Sequence, residues 1–89
     1  MNLHARLKNA AAEQDLLPRT VEAYWFWLRK FYAFHPVSAS TWTGPDVTRY
    51  LCHLHAANYS ASARKQALNA LAFFFKHILK ADKIGRAHV

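Results

Sequence analysis

The stretch SASARKQALNALAFFFKHIL, residues 60–79, decides the fold class. Ser60 suits a helix N-cap, and Leu68, Leu71, Ala72, Phe75, Ile78 and Leu79 then recur at helical spacing. They predict an apolar side turned toward a core. Ser62, Lys65, Gln66, Asn69, Phe73, Lys76, His77 and Lys80 share the other broad face, which is polar and basic. No acidic residue occurs between Val47 and Ala81, whereas an ordinary solvated helix face mixes both signs. Phe73, inside that polar stripe, leaves two readings open: a contact surface, or the margin of a wide core.

Upstream, Thr43-Gly44-Pro45-Asp46 offers a hydroxyl cap, a first-turn proline and an acid near the positive helix end. A helix is expected from there to about Asn58, burying Val47, Tyr50, Leu51 and Leu54 and exposing Arg49, His53 and Ala56. A loop over residues 35–42 precedes it. Before that loop, RTVEAYWFWLRKFYAFH, residues 19–35, follows Pro18 and predicts a helix to about Phe34, stopped by His35-Pro36. Val21, Tyr24, Trp25, Leu28, Phe31 and Tyr32 form its core stripe; Arg19, Ala23, Phe26 and Lys30 lie opposite, with Arg29 at the margin. Trp27 and Trp42 fall outside this stripe, and base stacking is one reading of them. A first helix, from about Asn2 to Gln14, carries only a narrow stripe of Leu3, Leu7, Ala10 and Gln14, so loose packing or a partner interface is expected.

These segments predict an all-α bundle whose core includes Trp25, Leu28, Tyr50, Leu54, Leu68, Leu71 and Phe75. At 89 residues the chain accommodates one modest core. Twelve Lys and Arg against five Asp and Glu give a formal charge of +7, which points to polyanionic partners.

Catalytic constellations are missing from the pattern. Glu13, Asp15, Glu22, Asp46 and Asp82 form no carboxylate pair at helical proximity, and two glycines cannot build a phosphate-cradling loop. Cys52 and His53 diverge by about 100° around a helix, so a thiolate–imidazole pair is not indicated. His53 and His55 diverge by about 200°, which excludes their gripping one metal ion together. No cofactor or metal is expected. The opening MNLHARLKNAAAEQD is too polar for a secretory signal, and no apolar run approaches the ~20 residues of a membrane span, so a cytoplasmic location is expected.

Several short cues in order carry a family resemblance: Arg19-Thr20 with Tyr24 four residues after Thr20, the Phe31 and Phe34 ending, Ser60-x-Ser62, Gln66-Ala67-Leu68, Ala70-Leu71 and the Phe73–Phe75 run. From Leu16 to Leu79 the chain resembles the N-terminal core-binding domain of tyrosine recombinases, especially integron and phage integrases. The resemblance implies a SAM-like bundle of four to five helices that clamps duplex DNA opposite a catalytic domain. Two helices cross in the major groove, here the second and fourth. Arg19 and Thr20 match the start of the family's second helix; Ser62, Arg64, Lys65, Gln66 and Asn69 match the DNA-facing part of the fourth. Lys30 and Lys76 extend the two basic faces. Leu17 and Ala63 depart from the family, which often has Ser and Thr there. The family's nucleophilic Tyr, with its Arg, Lys and His partners, belongs to a larger C-terminal domain that these 89 residues do not contain.

The expectation is therefore a non-catalytic DNA-binding domain over residues 1–80, with residues 81–89 beginning a linker to the catalytic domain of a parent recombinase. Its partners would be duplex DNA and other recombinase protomers, without membrane or small-molecule substrate. The rival expectation is a helical protein-interaction module in which Phe73, Trp27 and the first helix dock a partner chain.

Overall fold

The computed structural model describes residues 3–79. They form α1 (Leu3–Glu13), α2 (Pro18–Phe34), α3 (Gly44–Ala56) and α4 (Ala61–His77), with a 3-10 turn at Ala39–Thr41 before α3. No strand occurs among the described residues, and the architecture is an all-α bundle of four helices. The linker expected over residues 81–89 lies outside the described residues.

Local chemistry sets the helix ends. α1 stops because Asp15 turns left-handed (φ 57°), which lets Leu16 N–H reach back to the Ala11 carbonyl at 3.0 Å. α3 ends the same way: Asn58 has φ 68°, and Tyr59 N–H donates to the Leu54 carbonyl at 3.0 Å. Asn tolerates that conformation better than most residues, so the expected stop at Asn58 is found. Ser60 Oγ accepts the Ala63 N–H at 3.0 Å and caps α4. By contrast Leu17, at the N-cap of α2, gives no side-chain cap, so α2 starts on the fixed backbone of Pro18 alone.

α2 and α4 pack together most extensively, with α3 against α4 and α1 against α2. Leu28 and Phe31 of α2, Tyr50 and Leu54 of α3, and Ala67, Ala70, Leu71 and Phe74 of α4 fill the centre. Trp42 closes it from the loop. Its ring meets Phe31 edge-on at 4.6 Å and Phe74 at 5.4 Å, while its indole N–H donates to the Val37 carbonyl at 3.2 Å.

Several expectations need correction. The buried side of α4 is rotated by about one residue from the expected stripe: Leu68 is 44% exposed and Ala72 is also outside, Phe75 is half-buried, and Phe74 is fully buried. Ala67 and Ala70 take inward positions instead, where small side chains suit the close packing of α4 on its neighbouring helices and which a hydrophobicity pattern underweights. In α2, Trp25 is half-buried and Tyr32 is 50% exposed. Trp27 is 4% exposed and Trp42 2%, so neither ring offers a face for stacking a base. The first helix is not loosely held: Leu7, Ala10 and Ala11 are buried, and Arg6 donates to the Ile78 carbonyl at 3.0 Å.

Candidate nucleic-acid interface

Where α2 begins and the middle of α4 passes it, a groove of about 380 Å³ opens between the two helices. Arg19, Thr20, Ala23, Tyr24 and Trp27 line it from α2, and Gln66 and Asn69 from α4. Four of the expected site residues, Arg19, Thr20, Gln66 and Asn69, are thus brought to one place from positions nearly fifty residues apart. Helical spacing explains the α4 contribution: Gln66, Asn69, Phe73 and His77 follow one another at three- and four-residue steps and so share a stripe. Phe73 packs on Tyr24 at 5.3 Å and His77 on Phe73 at 4.6 Å, which continues the groove as an aromatic ridge.

The remaining expected residues do not line this groove. Ser62, Lys65 and Lys76 are exposed on α4. Arg64 is half-buried and its Nε–H donates to the Tyr59 carbonyl at 3.4 Å, so part of its guanidinium is occupied by the α3–α4 connection. Lys30 is exposed about 16 Å farther along α2 than Arg19. It sits over the Phe26 ring at 5.6 Å and borders a different cavity, against α3. Tyr24, which periodicity places on the core stripe, packs half-buried against the core and also lines the groove. Its position one turn after Thr20 was the available signal.

The electrostatics of the groove differ from those at the start of α3. There Asp46 accepts from both the Thr43 N–H and the Thr43 hydroxyl at 2.9 Å, pairs with Arg49, and lies 3.4 Å from His35 Nε2. Desolvation pushes the Asp46 carboxyl upward, but the hydrogen bonds from Thr43 and Arg49 and the nearby His35 outweigh it and hold the pKa below 3.8. Asp46 and its partners close a structural corner. The groove has no carboxylate in its lining, and among the described residues no ion pair involves Arg19, Lys65 or Lys76. Nor do the described residues gather three metal-ligating side chains, and no described helix is long and apolar enough to cross a membrane.

A family model described as the phage integrase N-terminal SAM-like domain matches residues 3–84. The chain belongs to this family. No curated protein and no solved structure matches it. In this phage integrase N-terminal domain, Leu17 takes the N-cap of α2 without capping it, and Ala63 lies half-buried in the first turn of α4. The first departure therefore removes a helix cap. The second leaves no hydroxyl on that turn beyond those of Ser60 and Ser62.

Proposed function

We propose that this integrase domain grips duplex DNA, with α2 and α4 entering the major groove. The observation that carries the reading is the α2–α4 groove, where a guanidinium, a hydroxyl and two carboxamides meet without an acidic side chain. Arg19, Lys65 and Lys76 neutralise backbone phosphates, with Lys30, Arg64 and Ser62 contributing at the edges. Gln66 and Asn69 are of the type that reads adenine through paired hydrogen bonds. The parent protein would be a tyrosine recombinase acting in the cytoplasm, with strand exchange in its own catalytic domain and other protomers on the same DNA. This domain, over residues 1–80, supplies grip and partial recognition without cofactor or metal.

Alone, one half of such a clamp should bind duplex DNA with micromolar or weaker affinity that falls steeply with salt. Fluorescence anisotropy of a labelled duplex across a salt series tests this. Binding that is tight and insensitive to salt would contradict it.

A protein partner is favoured by a different feature, the apolar groove of about 510 Å³ between α1 and α2, near Leu17, which is 69% exposed. Two of the three anchors expected for that reading are already committed to the interior: Trp27 and the apolar side of α1. Association with another chain that ignores salt, together with no duplex binding, would favour it.

A further inference from the structure

Between the C-terminal half of α2 and α3 lies a second cavity of about 470 Å³. Its polar lining consists of Lys30, Tyr50, His53 and Tyr59, and its walls include Phe34 and Leu54. Every one of those polar side chains can donate a hydrogen bond, and none is a carboxylate. Tyr50 is 2% exposed, yet its hydroxyl has no hydrogen-bond partner among the described residues. Leaving a buried hydroxyl unpaired is costly, so native structures usually give such a group a partner. The Tyr50 ring cannot turn away easily, because Phe31 and Phe34 pack on it at 5.2 Å and His53 stacks along it at 6.3 Å.

We propose that this cavity binds an oxyanion, with Lys30 supplying the charge and Tyr50, Tyr59 and His53 supplying hydrogen bonds. A phosphate group has enough acceptor oxygens to satisfy several donors at once, and the Tyr50 hydroxyl gains its partner when the anion enters. Lys30 is exposed at the rim of the cavity, where its ammonium can meet an incoming anion, while the Tyr50 hydroxyl lies in the buried part, where a hydrogen bond is stronger than in water. The cavity shares no lining residue with the Arg19–Asn69 groove, although Lys30 also stands at the edge of the proposed DNA-binding face. The same oxygens can come from a DNA phosphodiester or from a free phosphate ion.

The test is a titration of the isotopically labelled 89-residue chain with inorganic phosphate, followed by amide chemical shifts, beside sodium chloride at matched ionic strength. Saturable shifts centred on residues 30, 34, 50, 53 and 59 with phosphate, and not with chloride, are expected. Lys30→Gln and Tyr50→Phe should each weaken phosphate binding by roughly threefold or more. Tyr50→Phe removes only an unpartnered hydroxyl, so the fold should survive it, and Lys30 is on the surface. A duplex DNA arm identifies the source: competition with phosphate means a backbone phosphodiester fills the cavity, and simultaneous binding means a free ion does. Shifts that match chloride, or that persist unchanged in both variants, would overturn the proposal even if duplex DNA binds elsewhere.

Discussion

Along α4, Ala67, Ala70, Leu71 and Phe74 are buried, while Lys65, Gln66, Asn69 and Lys76, interleaved with them in sequence, remain exposed. One side holds α2 and α3 in place. The other carries cations and carboxamides with no acid to pair them. A helix needs only one apolar stripe to stay docked, so its outward residues are free to meet other demands. The comparison teaches that stability and binding should be separable in this domain by substitutions one residue apart.

The largest expected effect tests the inward side. Leu71→Ala should cost roughly 2–5 kcal/mol, because Leu71 is fully buried and the surrounding rings cannot collapse completely into the space. Leu68→Ala, on the exposed side, should stay within about 0.5–1 kcal/mol. Chemical denaturation of both variants checks the pair, and equal losses would mean that the two sides are wrongly assigned.

On the outward side, Gln66→Ala and Asn69→Ala remove no charge. If they touch bases, each should lower discrimination between two duplexes by roughly 1–3 kcal/mol while leaving thermal stability near that of the parent chain. Competition binding with two duplexes, run beside thermal melting, checks both halves of that statement. A loss of stability without a loss of discrimination would return these residues to the fold.

Smaller effects belong to the helix starts, which neither side of α4 controls. The Asp46 pKa is depressed in the folded state, so its contribution is present above the unfolded value of 3.8 and is lost as pH falls through the lower folded value. Denaturation midpoints measured down through this acidic range should fall less in Asp46→Asn, which should cost about 1 kcal/mol at neutral pH. Leu17→Ser should act in the opposite direction. A side-chain cap for α2 is worth about 0.5–1 kcal/mol and should raise the melting temperature. A lower melting temperature would mean that exposed Leu17 has packing its position does not reveal.

Helix existence and helix ends were legible because they depend on local chemistry. Pro18, the Thr43–Asp46 cap, Asn58 and Ser60 mark the boundaries with a few residues each. The orientation of α4 about its axis was less legible. Periodicity ranked Leu68 and Phe75 above Ala67 and Ala70, but close helix packing selected the alanines and Phe74. Trp42 was out of reach of such reasoning, because it enters the core from a loop where no helical period applies. Of the candidate groove, the α4 half was visible as a stripe. Its meeting with Arg19 and Thr20 is a tertiary fact that only the family resemblance anticipated, and Tyr24 was hidden by its apolar ring.

The central claim, that the outward side of α4 and the start of α2 form a DNA-binding face, is tested most directly by moving equal charge at two places. Lys65→Glu/Lys76→Glu and Lys8→Glu/Arg29→Glu change net charge identically, and all four residues are exposed. Anisotropy of one labelled duplex across a salt series should show the first pair binding much more weakly, with a salt slope shallower by about 2 if each lysine meets one phosphate. The second pair should bind nearly as well as the unmodified chain at physiological salt. Equal losses from the two pairs would show attraction by net charge alone and would contradict a defined DNA-binding face.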